Sequence, residues 1–127
     1  MTAKTIVVLV TAAVLLFLLI YPAVCLHAEV NAYLENIDSI KEAIREKDDA
    51  RALKLYGEKL ALWDEKNTLI LAFTPHAETE DTKDFIIELK HCLERKEYEK
   101  ALEKADLLYA RIDHLIEGTR LSWENIF

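Results

Sequence analysis

The sequence predicts an all-α protein, with an N-terminal transmembrane helix followed by an antiparallel four-helix bundle made of two helical hairpins. Three observations carry that expectation. Residues 6–26, IVVLVTAAVLLFLLIYPAVCL, contain no charged side chain. From Val30 onward apolar residues recur in steps of three and four, the spacing of one helix face. The 127 residues include only 2 Gly and 2 Pro, too few turn residues for an all-β fold or a Gly-rich phosphate loop.

At about 1.5 Å rise per residue, residues 6–26 extend roughly 31 Å as a helix, the thickness of a bilayer's hydrocarbon core. A secretory signal has a shorter apolar core, about 7–15 residues, and a small-x-small cleavage site. Here Leu26-His27-Ala28 puts Leu where a small residue belongs, and Val24 precedes Cys25 where a lipoprotein site wants a small one. The reading is therefore a retained anchor, residues 1–28, with the lipid bilayer as partner of residues 6–26 and one folded domain in residues 29–127. Tyr21 and His27 suit the interface, and Pro22 stands where a kink at the exit is expected. Lys4 precedes the segment while Glu29, Glu35 and Asp38 follow it. The positive-inside rule then puts the start in the cytoplasm and the domain outside the membrane that residues 6–26 cross.

The net charge is -7, and Lys4 is the one charged side chain before Glu29, so the domain is more acidic still. Such a surface repels phosphate backbones and anionic headgroups. Nucleic acid is not an expected partner, and the domain is not expected to lie flat on the membrane. Cys25 and Cys92 make neither a disulfide framework nor a metal-ligand set. Cys92 reads as a small core residue.

The first domain helix is expected over about residues 29–47, with Val30, Tyr33, Leu34, Ile37, Ile40 and Ile44 inward. Asp48 is a natural N-cap for the second, about 49–73. On it Leu53, Tyr56, Leu60, Trp63 and Ile70 form one stripe, interrupted by Asn67. Leu55, Leu62 and Leu69 form another at heptad spacing. A helix apolar on two sides is expected at the centre of a bundle. Thr74 and Pro75 supply a stop, a cap and a first position for the third helix, about 76–95. That helix buries Phe85, Ile86, Leu89, Cys92 and Leu93. The fourth, about 97–117, buries Tyr98, Leu102, Ala105, Leu108, Tyr109, Ile112, Leu115 and Ile116 and ends at Gly118. Ser122 is expected to cap a short last turn, and Trp123, Ile126 and Phe127 to fold back on the bundle.

The helices are separated by phase. Ile44 to Leu53 is nine residues, as is Leu93 to Leu102, and nine residues rotate the apolar face by about 180° at 100° per residue. The coincidence exposes a repeat at an offset of 49: Ile37, Ile40, Lys41, Ile44, Lys47, Ala52 and Leu53 align with Ile86, Leu89, Lys90, Leu93, Lys96, Ala101 and Leu102. Two equivalent hairpins follow.

Chemistry is sparse. Glu88 and His91 have the Glu-x-x-His spacing of di-iron bundles. The required second pair is missing, because Arg111 stands three residues before His114. No metal or cofactor is expected. His76, Glu78, Glu80, Asp81 and Asp84 gather at the start of the third helix. They suit a cation or polar ligand, but acids there also complement the positive helix N-terminus, and that plainer reading is preferred. Ser39 and Ser122 are the two serines, neither with a triad partner in local order, so no catalytic residue is assigned. The row Leu55, Leu62 and Leu69 is a docking face or simply core, and core is preferred. Tyr98-Glu-Lys-Ala-Leu has the look of a tetratricopeptide phrase without the 34-residue period. The candidate partner or ligand contacts are Leu55, Leu62, Leu69, His76, Glu80 and Asp84.

Several residues together resemble a known family. They are Trp63 and Phe73, then His76, Glu80, Asp84 and Ile87, then Lys96, Ala101 and Leu102, then His114-Leu115-Ile116, and last Leu121-Ser122-x-x-Asn125-Ile126-Phe127. On these the chain resembles domain-of-unknown-function family 4363, small proteins of Gram-positive, Clostridia-like bacteria. The resemblance implies a membrane-anchored helical protein with no assigned activity, hence no catalytic residues to carry over. The expected function is a non-enzymatic interaction or structural component of the bacterial envelope, its protein partner unnamed by the sequence. The alternative is an extracytoplasmic bundle that senses a ligand or cation near residues 76–84. A metallo-enzyme comes third.

Overall fold

The computed structural model describes residues 2–66, 70, 74 and 76–126, the side chains of His76 and of 116–126 excepted. Among the described residues the chain is all-helical. Expectations for Asn67, Leu69, Phe73, Pro75 and Phe127, and for the side chains of Ile116, Trp123 and Ile126, fall outside the described residues.

Helix α1 runs without interruption from Ala3 to Arg45, about 65 Å at 1.5 Å per residue. Thr2 caps it, its hydroxyl accepting from the Thr5 N–H at 3.3 Å. Pro22 lies inside the helix, and the helix continues through it although proline lacks an N–H for the i→i−4 ladder. Along this one rod the environment changes. The large apolar side chains from Ile6 to Ile20 are 45–65% exposed, whereas Leu26 is 3% exposed and Val30, Tyr33, Leu34, Ile37, Ile40, Ala43 and Ile44 are buried. The apolar run and the stretch expected as the first domain helix are thus one element, and the packed body begins at Leu26.

The expected helix end at residue 47 moves back to Arg45, because the turn is a Schellman motif. Lys47 takes the left-handed conformation at φ 55°. Its N–H donates to the Ile44 carbonyl at 3.0 Å, and that of Asp48 donates to Ala43 at 2.9 Å. Asp48 then caps α2 (Asp49–Glu58) as its residue type predicts, accepting from the Arg51 N–H at 3.2 Å. Forty-nine residues later the turn is rebuilt. Lys96 has φ 57°, its N–H donates to Leu93 at 3.3 Å, and that of Glu97 donates to Cys92 at 3.0 Å.

The second domain helix does not run from 49 to 73. It stops at Glu58, Lys59 turns out of helical geometry (φ -137°, ψ -59°), a 3₁₀ turn covers Leu60–Leu62, and a short α3 follows at Trp63–Lys66. Gly57, the poorest helix former here apart from proline, sits next to the break. Tyr56, Leu60, Trp63 and Ile70 are buried as expected, but Leu53 is not core and stands 38% exposed.

Helix α4 spans His76–Glu94 and α5 spans Tyr98–Ile126. The expected stop at Gly118 and the separate last turn at Ser122 are absent: one helix passes through both. A glycine inside a helix costs only about 1 kcal/mol relative to Ala, which the flanking turns outweigh. Ile86, Leu89, Cys92, Leu93, Ala105, Leu108, Ile112 and Leu115 are buried, with Phe85, Tyr98, Leu102 and Tyr109 packed at the edge of the core. Helix α1 packs on α2 and α5, and α4 packs on α5 and α2.

Candidate functional site

The acidic start of α4 divides by face. Thr79 and Thr82 are buried, continuing upstream the stripe of Ile86, Leu89 and Leu93. Thr82 returns its hydroxyl to the Glu78 carbonyl of its own helix at 2.8 Å, the usual way a buried Thr is satisfied in a helix. Glu80, Asp81 and Asp84 are exposed on the other side. Of the expected cluster, then, three carboxylates face solvent, Glu78 is half-buried, and His76 is placed only as the first residue of α4. Sequence reading overlooked the two threonines. Thr82 lies four residues before Ile86 and Thr79 three before Thr82, a helical spacing masked by their polarity.

The leucine row is not one stripe on one helix. Leu55 lies on α2 and Leu62 on the 3₁₀ turn, with the break at Lys59 between them, and Leu69 is outside the described residues. Both described leucines are half-buried. Leu55 packs against the core, and its carbonyl accepts from Asn36 Nδ2 at 3.0 Å. That carbonyl is open because the Lys59 N–H bonds Tyr56 instead, at 3.4 Å. Asn36 therefore reaches across from α1 to cap the frayed end of α2, leaving its own Oδ1 buried without a partner.

Between α2, α3 and α4 lies a cavity of ≈ 110 Å³ lined by Tyr56, Leu60, Trp63, Asp64, Lys83 and Ile86. The Tyr56 hydroxyl donates to the Ile86 carbonyl at 3.3 Å, and Asp64 pairs with Lys83 at 3.3 Å. Small-molecule pockets run to about 300–1,000 Å³, so this volume suits a few waters. A shallower cleft of ≈ 330 Å³ lies along Phe85, Leu107, Ala110, Arg111 and His114.

Glu88, half of the Glu-x-x-His pair, is held by Lys104 Nζ at 2.9 Å. That hydrogen bond raises the Lys104 ammonium above its ordinary range. His91 is exposed. Among the described residues no three His, Cys, Asp or Glu side chains gather as metal ligands. Ser39 spends its hydroxyl on the Glu35 carbonyl of its own helix, at 3.1 Å.

The most extensive unsatisfied surface is the apolar length of α1. Within the described residues it is the one helix long and apolar enough to cross a membrane, and none of that stretch is buried against the body. A family model described as Domain of unknown function (DUF4363) matches residues 21–126, from the end of this apolar stretch through α5. No curated protein and no solved structure matches the chain.

Proposed function

The chain belongs to domain-of-unknown-function family 4363, and from that premise we propose a single-pass membrane protein that carries a four-helix bundle outside the bacterial plasma membrane. The bundle consists of two hairpins, α1 with α2 and α4 with α5. Its role is non-enzymatic, as an interaction or structural component of the cell envelope.

The observation that carries this reading is the exposed apolar length of α1 joined, in one helix, to a well-packed body. Burying a Val, Leu, Ile or Phe is worth roughly 1.5–3 kcal/mol per side chain, so a run of them in water is strongly disfavoured and a bilayer resolves it. The orientation follows from Lys4 on one side and the acidic domain on the other. The matched turns at Lys47 and Lys96 support the two-hairpin arrangement.

Carbonate extraction and protease digestion of intact cells test the placement. The protein is expected to stay with the membrane pellet and lose its domain to external protease; release by carbonate, or protection until cells are lysed, would overturn it. The interaction role is tested by crosslinking in native membranes, comparing wild type with Leu62→Glu and Asp84→Ala. A partner lost from a folded Leu62→Glu protein makes the 3₁₀ turn its docking point. Unfolding of that variant returns Leu62 to the core, and a wild type without crosslinked partners counts against the interaction role.

A further inference from the structure

On the outer side of the α4–α5 pair, Phe85 of α4 and Leu107, Ala110, Arg111 and His114 of α5 line the cleft of ≈ 330 Å³. Leu107 lies off the buried stripe of Ala105, Leu108 and Ile112 and is 42% exposed, and Ala110 is exposed beside it. Two cations of α5 reach the same aromatic ring. Lys104 Nζ stands 5.9 Å and the Arg111 guanidinium 5.7 Å from the centre of Phe85, both within cation–π range. Lys104 is neutralised by Glu88 at 2.9 Å. Arg111 is not. Among the described residues its partner is the Phe85 ring alone, and Asp81, one turn before Phe85 on α4, makes no ion pair with it.

The charge at this place runs against its surroundings. The chain has more acids than bases, yet here a half-buried guanidinium lies flat on a ring with no carboxylate to meet its planar fork. That fork matches a carboxylate in two parallel hydrogen bonds while its face stays stacked on the ring. The other exposed large side chain beside a cavity, Ile87, lies next to Asp64 and Lys83, which already satisfy each other. An apolar floor with one unspent charge has the make-up of a recognition site, and Arg with aromatic residues is favoured at the centres of protein interfaces. The cleft is too shallow to enclose a free small molecule as a pocket does. It holds one large side chain of a longer molecule whose remainder stays in water.

We infer that this cleft docks a segment of a partner protein in which a large apolar side chain stands next to an Asp or Glu. The apolar group lies on Phe85, Leu107 and Ala110, and the carboxylate meets the Arg111 guanidinium. This rests on the interaction role proposed above and sets the docking point on α4 and α5 rather than on the 3₁₀ turn. Because Lys104 stays with Glu88, the cleft takes up one acid and not a run of them.

The test uses the full chain in phosphatidylcholine nanodiscs, with leucine methyl groups followed by NMR. The probe is the end-blocked peptide acetyl-Ser-Phe-Glu-Ser-amide, compared with its Gln counterpart and with phenylpropionate. The Leu107 methyls are expected to shift saturably with the Glu peptide, while those of Leu60, 1% exposed, stay in place. The Gln peptide should bind roughly tenfold more weakly, the loss of one charge-assisted pair. Arg111→Gln should abolish that difference. The comparison of the two peptides is made on wild type, so it decides the matter even where the variant folds poorly. Equal affinity for both, or phenylpropionate bound as tightly as the Glu peptide, would overturn the inference. Leu107 unmoved by any peptide, with a partner still crosslinked to wild type in native membranes, would overturn this site alone; absence of any such partner counts against the interaction role itself.

Discussion

Tyr33 and Trp63 meet edge to face, their ring centroids 5.1 Å apart at 69°. The pair joins α1 to the segment just beyond the break in α2. Lys59, the residue at the break, lays its Nζ 4.5 Å from the centre of the Tyr33 ring. The non-helical turn thus brings one aromatic residue and one cation onto the same ring. Trp63→Ala is expected to cost about 3–5 kcal/mol in urea unfolding of the detergent-solubilised protein. A double-mutant cycle with Tyr33→Leu and Trp63→Leu should show a coupling of about 0.5–1.5 kcal/mol. Zero coupling would reduce the contact to plain burial.

The same tyrosine sets an alkaline limit. Burial, and next the Glu29 carboxylate, push the Tyr33 hydroxyl up to about 12 from its usual 10.0. Between those values the unfolded chain gives up the proton and the folded one keeps it, so stability falls as pH rises. Its contribution is whole below pH 10 and is lost through about pH 12. Lysines titrate in this range too, so the informative quantity is the difference between wild type and Tyr33→Phe. Unfolding free energies at pH 8 and pH 11 should diverge for wild type by more than for the variant, and equal slopes would contradict it.

Asn36 is the polar link between α1 and α2. It donates to the Leu55 carbonyl at 3.0 Å while its own Oδ1 stays buried without a partner. Removing the donor leaves that carbonyl unmet, so Asn36→Ala should cost about 1–3 kcal/mol. Asn36→Asp should cost more, since it sets a carboxylate against a carbonyl. The excess should shrink at low pH, where the carboxyl can donate, and a pH-independent cost would place the bond's importance elsewhere.

Legibility followed the period of the chain. The stripe of Val30, Ile37, Ile40 and Ile44, and its echo in Leu89 and Leu93, are buried as read, because burial of one face is what a 3.6-residue period records. Asp48 was legible as a cap because its short carboxylate suits that place. The break at Lys59 was not. Tyr56, Leu60 and Trp63 keep three- and four-residue spacing whether the chain between them is α or 3₁₀, so the stripe hid the change and Gly57 was the lone hint. Gly118 misled in the other direction, a good terminator that the helix absorbs. At the candidate site the acids were correctly seen to be clustered in sequence, but a helix spreads such neighbours around its circumference. What the period could not show was Asn36, whose partner lies nineteen residues away on another element.

The repeat makes a last, sharper claim. The two turns are equivalent in hydrogen bonding and also touch one another. Lys47 stands over Tyr98, Lys96 lies 3.8 Å from the Asp49 carboxylate, and the Tyr98 hydroxyl donates to Asp49 at 3.2 Å. Lys47 corresponds to Lys96, and Asp49 to Tyr98, so the contacts exchange under the repeat, as at a two-fold axis. Each lysine also holds a left-handed backbone, φ 55° and 57°, which costs a residue with a Cβ about 1–2 kcal/mol. Glycine removes that strain and returns about 0.4–1 kcal/mol to the unfolded chain as entropy. The side-chain contacts forfeited are exposed ones, worth about 0–1 kcal/mol. Relief of strain should win narrowly, so Lys47→Gly and Lys96→Gly are each expected to stabilise the fold by a few tenths to about 1 kcal/mol. Urea midpoints of the two variants decide it. Similar gains would mean the turns are equivalent in energy as well as in form; a loss at one position alone would mean that its lysine contact has come to outweigh the strain it shares with its counterpart.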